Sequence, residues 1–150
     1  MPIFFMERIM IMYSLRTEHS FDSAHFLSGY EGKCSNIHGH RWQVVIEVKS
    51  LTLQTNQQLN GMLVDFAQLK KDVKEEVDVL DHAFIIEKNT LKPKTVEALE
   101  EEGFQIIMLD FRPTAENMAK YFYDRMEHRG YQVKSATVYE TPNNCASYEA

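Results

Sequence analysis

The sequence is poor in three features, and each shortage excludes a class of protein. It has two cysteines in 150 residues, Cys34 and Cys145, so a disulfide framework is excluded. Its 16 basic and 22 acidic residues leave a net charge of −6, without the basic excess of a nucleic acid-binding protein. It also lacks repeats, linkers and low-complexity tracts. We therefore expect a single domain over residues 1–150, with no nucleic acid partner.

A long hydrophobic run is also missing. The apolar stretch at residues 1–12 is interrupted by Glu7 and Arg8, and it is far shorter than the ~20 residues that span a bilayer. No small-residue cleavage site follows it, so we expect no signal peptide and no membrane partner. Hydrophobic residues make up 44% of the chain and charged residues 25%, as in globular proteins. We expect a cytoplasmic protein in which residues 1–12 are a candidate extension.

Hydrophobic periodicity predicts an α+β domain. Apolar residues alternate with polar ones at residues 12–25 and 40–49, which predicts two long strands. Further strands are predicted at 131–140 and 146–148, and a short helix and strand at 95–102 and 104–109. We expect a four-stranded antiparallel sheet, with two main helices inserted between the strand pairs and covering one face.

The two main helices have clear start signals. Asp65 and Thr114 are predicted N-caps, and Gly130 is the predicted end of the second helix. In the first helix, which we expect to end near residue 80, Phe66 begins the predicted core-facing stripe. Glu76 falls on the predicted solvent face.

The chemistry is concentrated at residues 33–42, where a thiol precedes a His-Gly-His sequence. Side chains repeat their facing every two residues in a strand, so His38 and His40 have the spacing of a metal chelate. His25 shares the apolar parity of the preceding strand, and antiparallel pairing could bring it to the other two. Three imidazoles would leave one tetrahedral position open, as in catalytic zinc sites. From the residues alone, Cys34 could be a fourth ligand, an acid/base group or a nucleophile.

Three further side chains are candidates for the same site. Asp81 and His82 are adjacent at the predicted end of the first helix, where a carboxylate can orient an imidazole. With Cys34 they could also form a nucleophilic triad. Glu140 lies on the apolar parity of its strand, where a carboxylate requires a partner, such as adjacent N–H donors of a ligand. His19 and His128 have no such context, and we expect them to be structural or exposed.

Together these motifs resemble the 6-pyruvoyltetrahydropterin synthase and 6-carboxytetrahydropterin synthase family. The resemblance covers most of the chain from about residue 14. It is carried, in order, by residues 21–25, 33–40, 61–66 with Leu69 and Lys70, 80–82, 113–117, and 139–141 with Cys145 and Tyr148.

The resemblance implies a role for each candidate. His25, His38 and His40 are expected to bind catalytic zinc, and Cys34 to abstract a proton. Asp81 and His82 are expected to complete the proton relay. Glu140, assisted by Glu116, is expected to bind the aminopyrimidinone edge of a pterin. The implied architecture is the tunnelling fold, in which sheets of several subunits join into a barrel, with a homohexamer built as a dimer of trimers.

The spacing beside the histidines distinguishes two branches of the family. Three residues separate Cys34 from His38, as in the 6-carboxytetrahydropterin synthases of the queuosine pathway, whereas the pyruvoyl-forming enzymes have a longer spacer. The preferred branch implies conversion of 7,8-dihydroneopterin triphosphate to 6-carboxytetrahydropterin, acetaldehyde and triphosphate. The alternatives are the pyruvoyl-forming reaction, a non-catalytic zinc domain closed by the cysteine, and a cysteine hydrolase.

Overall fold

The computed structural model describes residues 10–150, so most of the candidate extension, residues 1–9, lies outside the described residues. No helix within this range is long and apolar enough to cross a membrane. Besides a 3₁₀ turn at Lys33–Ser35, the chain forms, in order, β1 (Tyr13–His25), β2 (His38–Ser50), α1 (Phe66–Asp78), β3 (Ala83–Glu87), α2 (Pro93–Glu101), β4 (Ile106–Leu109), α3 (Ala115–His128), β5 (Val133–Thr141) and β6 (Asn144–Glu149).

The six strands form one mixed sheet in the order β4-β3-β1-β2-β5-β6. The antiparallel strands β1, β2, β5 and β6 match the prediction, but the prediction of a four-stranded sheet is wrong because β3 and β4 extend it, parallel to β1. β3 was missed because its apolar run, residues 83–86, has only four residues, and periodicity cannot assign so short a run. The connection through α1 leads from β2 past β1 to β3, which runs parallel to β1 and antiparallel to β2.

The main core lies between the sheet and helices α1 and α3. The odd residues of β1 and the even residues of β2 face these helices, as the alternation predicted. Phe21 and Trp42 are stacked with ring centroids 5.9 Å apart, and both are buried. They pack in one cluster with Leu69 and Val73 of α1 and Phe122 of α3. This apolar packing holds the β1–β2 pair rigidly up to the end at which His25 lies.

Helix α2 lies beside the other face of the sheet. A groove is lined by Ile86 of β3, Met108 of β4 and Val96 of α2. Ile85 belongs to the main core and Ile86 does not, as expected for adjacent residues of a strand. The prediction that helices cover only one face is therefore wrong. Because β3 was not recognised, the sequence offered no second apolar face for α2 to cover.

The predicted helix boundaries are confirmed by their caps. The Oδ1 atom of Asp65 accepts a hydrogen bond from Ala67 N at 2.7 Å. The Oγ1 atom of Thr114 accepts one from Asn117 N at 3.2 Å. Gly130 has a φ of +97° directly after α3, a conformation that favours glycine.

Two assignments within α1 are wrong. Phe66, predicted to face the core, is 55% exposed because it lies in the first turn, beyond the edge of the packed surface. Glu76, predicted to face solvent, is buried. Its carboxylate accepts hydrogen bonds from Arg125 Nε at 2.8 Å and Arg129 Nε at 2.6 Å, both from α3. A buried charge is stable here because α3 supplies both partners, and a pattern within α1 cannot reveal them.

Candidate metal centre

The register of the β1–β2 pair brings three histidines together at one end of the sheet. His25 is opposite His38, and Ser23 is opposite His40. The three imidazoles therefore lie on the face that packs against α1 and α3, as their parity predicted. The ring centroids are 4.5 Å apart for His25 and His38, 5.2 Å for His25 and His40, and 4.9 Å for His38 and His40.

Backbone carbonyls orient two of these rings. The Nδ1–H of His25 donates to Pro113 O at 2.8 Å, and that of His38 donates to Asn36 O at 2.7 Å. A carbonyl can only accept, so in both rings the proton is on Nδ1 and the lone pair is on Nε2. All three Nε2 atoms are buried and make no hydrogen bond within the part of the chain that the structure describes. Such buried, unbonded nitrogens, with Nδ1 held by a second group, are typical of metal-binding histidines.

The surroundings of His25 and His40 favour the neutral imidazole. Burial lowers the pKa of His25 to about 4 against the opposing effect of the hydrogen bond to Pro113, and His38 and His40 add smaller lowering effects. Burial and His38 also lower the pKa of His40, although Glu140 acts in the opposite direction. A neutral imidazole is the form that binds a metal, so little proton release is required at neutral pH.

Glu140 joins this group from the end of β5. One ligand atom from each of His25, His38, His40 and Glu140 can be chosen so that all four lie within 4.8 Å of one another. The Oε1 atom of Glu140 is 3.1 Å from Nε2 of His40, but the pair does not meet hydrogen-bond geometry. Nitrogen and carboxylate oxygen donors in this number fit a divalent transition metal such as zinc. The residues present therefore fit a metal ion.

Cys34 is close in sequence but is not part of this four-residue group. It lies in the 3₁₀ turn of residues 33–35 and is half-buried as a free thiol. Its carbonyl accepts a hydrogen bond from Leu27 N at 2.8 Å, which closes the loop between β1 and β2. The fourth residue that could hold a metal beside the histidines is Glu140, whereas Cys34 lies outside the group.

Asp81 and His82 form the predicted hydrogen bond. Asp81 Oδ2 is 2.9 Å from His82 Nδ1, and Asp81 Oδ1 accepts from Asp22 N at 2.9 Å. The bond from Asp22 N is the main cause of the lowered pKa of Asp81, followed by the bond from His82. The backbone N–H of His82 donates to Asp22 O at 2.7 Å, and the φ of His82 is +56°. The backbone of β1 thus holds this pair in a fixed position.

The His82 side chain is 79% exposed. It lines a cavity of about 690 Å³ together with Asp22, Arg41 and Phe84, and His40 also reaches this cavity. Asp22 and Arg41 have the parity of the face opposite to α1 and α3, whereas the three imidazoles of the metal group share the helix-facing parity. Glu116, the other predicted site residue, is exposed in the first turn of α3 and is not part of the metal group.

Residues 14–150 match the family model described as 6-pyruvoyl tetrahydropterin synthase. The chain belongs to the 6-pyruvoyl tetrahydropterin synthase family. A 6-carboxy-5,6,7,8-tetrahydropterin synthase of Haemophilus influenzae is 33% identical over 141 residues, covering 92% of this chain and 99% of that protein. One of Aquifex aeolicus is 34% identical over 127 residues, covering 78% and 76%.

Solved structures share the fold of this chain. A 6-pyruvoyltetrahydropterin synthase of Plasmodium vivax, a catalytic residue mutant, superposes with a TM-score of 0.68 at 19% identity, covering 93% of this chain and 98% of that one. An uncharacterized protein of Wolinella succinogenes gives a TM-score of 0.71 at 22% identity, with the same coverage.

Sequence reasoning missed two orienting groups of this pterin synthase family member, the carbonyls of Pro113 and Asn36. The Pro113 carbonyl carries no side-chain signal and lies 88 residues from His25 in sequence. Only tertiary packing could show that the residue before the N-cap of α3 contacts the metal group. The position of Glu140 had a signal, because its parity placed a carboxylate on an apolar face. That signal did not indicate which partner the carboxylate meets.

Proposed function

We propose that this protein is a zinc-dependent 6-carboxytetrahydropterin synthase that converts 7,8-dihydroneopterin triphosphate to 6-carboxy-5,6,7,8-tetrahydropterin, acetaldehyde and triphosphate, as a step of queuosine biosynthesis. The observation that carries the proposal is the convergence of three buried Nε2 atoms without hydrogen-bond partners among residues 10–150. The relatives described as 6-carboxytetrahydropterin synthases support the choice of product.

His25, His38 and His40 would hold the metal through Nε2. When bound, zinc supplies a Lewis acid that acidifies hydroxyl groups and stabilises negative charge on oxygen. Pro113 O and Asn36 O contribute by fixing the tautomer and orientation of two rings. The stacked Phe21 and Trp42 side chains lie directly behind this group, with the Trp42 ring centroid 4.8 Å from that of His25, and exclude water from that side.

Proton transfer is assigned to Cys34, Asp81 and His82. Cys34 is half-buried and outside the metal group, so its thiol is available as a base. The Nδ1–H of His82 donates to Asp81, which leaves Nε2 free to accept or donate a proton. Cleavage of a carbon–carbon bond next to a hydroxyl requires both a base for the hydroxyl and an acid for the carbon that gains a proton.

Recognition of the pterin is assigned to Glu140, with Glu116 in a secondary role. A carboxylate can accept two parallel hydrogen bonds from the amino group and ring N–H of an aminopyrimidinone. Glu140 is partly shielded from water, with 27% of its side chain exposed, which strengthens such bonds.

The assembly we propose is a homohexamer of this single-domain chain, in which a second subunit contributes Asp81 and His82. Two features support it. The His82 side chain is 79% exposed, so it is accessible to a second subunit, and β4 and β6 are edge strands of the sheet. Edges of this kind are usually paired or covered. The mass of the protein in solution, measured by light scattering, tests the assembly.

The decisive experiment is incubation of the zinc-loaded protein with 7,8-dihydroneopterin triphosphate, followed by identification of the products by mass. Acetaldehyde together with 6-carboxytetrahydropterin supports the proposal. A pyruvoyl product would assign the other reaction of the family, and no turnover with zinc bound would count against the enzymatic role.

Cys34→Ala separates a base from a metal ligand. We expect turnover to fall at least a hundredfold, because general base catalysis contributes about 10²–10⁴ in rate. The zinc content is expected to stay at that of the wild type, measured by atomic absorption. Cys145→Ala is the matched control, since this thiol is exposed in β6. Release of zinc by Cys34→Ala would show that the thiol is a ligand.

A further inference from the structure

The carboxylate of Glu140 lies closer to the histidines than pterin binding alone would require. Its Oε1 atom is 3.1 Å from His40 Nε2, and it belongs to the same group of ligand atoms, all within 4.8 Å of one another. Both side chains are largely shielded from water, with 18% of His40 and 27% of Glu140 exposed. A carboxylate in this position requires a strong partner.

The distance between these two atoms fits a shared metal ion. With metal–ligand distances of about 2.0–2.1 Å, the edge of a tetrahedral site is about 3.3–3.4 Å. The 3.1 Å separation of Oε1 and Nε2 is close to this edge. A direct hydrogen bond explains it less well, because the pair fails hydrogen-bond geometry and Nε2 makes no other bond within residues 10–150.

We propose that Glu140 is the fourth protein ligand of the resting metal site and closes the coordination position that substrate must open. Three neutral imidazoles and one carboxylate would leave a divalent ion with a formal charge of +1. The closed site would bind the metal more tightly and admit other ligands less readily than a site with three histidines.

This arrangement gives pterin binding a second effect, and this part of the inference rests on the proposed function. The carboxylate cannot remain on the metal through Oε1 and also turn both oxygens to an aminopyrimidinone edge, because the two parallel hydrogen bonds require the oxygen that the metal occupies. Binding of the pterin would therefore withdraw Glu140 and open the metal to the substrate hydroxyls. Activation would be limited to the moment at which substrate is bound.

The test uses the full-length protein loaded with cobalt(II), which reports its ligands by visible absorption, and azide as a small external ligand. Azide should leave the wild-type spectrum unchanged and shift the spectrum of Glu140→Ala. Glu140→Gln, which keeps the side-chain shape, guards against a folding defect in the alanine variant and should also respond to azide. Glu149→Ala, at the exposed end of β6, is the matched control and should behave like the wild type.

Metal affinity provides an independent measurement. Competition with a chelator should show a dissociation constant raised about tenfold or more in both Glu140 variants but not in Glu149→Ala. If azide binds wild type as readily as the variants, and the dissociation constants are equal, Glu140 is not a ligand and the inference is wrong.

Neopterin, which carries no triphosphate, then tests the link to the proposed function. It should make the wild-type cobalt protein responsive to azide. If the variants behave as expected but neopterin has no effect, the ligand role of Glu140 stands and the assignment of a pterin substrate fails.

Discussion

The buried carboxylate of Glu76 should be one of the most sensitive positions for stability, and Glu76→Gln tests this. Its side chain is 4% exposed and receives hydrogen bonds from Arg125 Nε at 2.8 Å and Nη2 at 3.3 Å, and from Arg129 Nε at 2.6 Å. These bonds connect α1 to α3. The amide of glutamine keeps one acceptor oxygen but presents an NH₂ group to a second guanidinium, so at least one charge-assisted bond is lost.

The expected cost follows from the exposure of the partners. A hydrogen bond to a charged group contributes about 1.5–3 kcal/mol, and removing one partner of a fully buried ion pair costs about 3–5 kcal/mol. The Arg125 and Arg129 side chains are 46% and 26% exposed, so water can solvate them after the change. We therefore expect a loss of about 2 kcal/mol, near the lower figure. For a chain of this length, that lowers Tm by about 4–8 °C.

The pH dependence gives this prediction a second signature. Burial by itself raises the pKa of Glu76, but the hydrogen bonds and charges of Arg125 and Arg129 outweigh burial and hold the pKa below its ordinary value. A carboxyl whose pKa is lower when folded stabilises the protein above its unfolded pKa of about 4.3. That contribution is lost as the pH falls through the folded pKa. The wild type should therefore lose its advantage over Glu76→Gln in acid.

Urea unfolding at pH 7 and at decreasing pH measures both effects. Glu75→Gln is the matched control, because Glu75 also contacts Arg129, at 2.9 Å, but is 49% exposed. An exposed pair contributes about 0–1 kcal/mol. If the two variants lose equal stability at neutral pH, or if the difference between wild type and Glu76→Gln persists in strong acid, the buried charge is not the cause.

Two further predictions concern the site. His38→Ala should remove a metal ligand and lower the bound zinc well below one per chain. His128→Ala, at the exposed end of α3, is the control and should retain its zinc. Equal zinc contents in the two variants would contradict the ligand assignment. His82→Asn should preserve folding and zinc, because asparagine tolerates the φ of +56° at this position, but should lower turnover at least tenfold, as expected for loss of an acid/base group. Full turnover of His82→Asn in the product assay would exclude His82 from the proton relay.

Much of the fold could be predicted because its signals are local. The alternation in β1 and β2 depends on residues two positions apart. The caps at Asp65 and Thr114 depend on residues within one helical turn. β3 escaped prediction because a short apolar run has no period to detect. The buried state of Glu76 escaped because its partners are about 50 residues away in α3.

For the candidate site, the sequence by itself determined the chemical groups and their facing. The spacing of His38 and His40 in a strand and the parity of His25 were sufficient to predict three imidazoles on one face, because the side-chain period of a strand is two residues. The three-residue spacer between Cys34 and His38 could also be read directly from the sequence. The role of the Cys34 thiol stays a prediction.

Only the tertiary structure decided how these groups are held. The carbonyl of Pro113 reaches His25 because the segment that leads into α3 passes the end of β1, and Glu140 meets His40 because β5 pairs with β2. His82 lies beside Asp22 because β3, which begins at the next residue, pairs with β1. Contacts of this kind join residues distant in sequence, and they form only when the packing of the core brings the elements together.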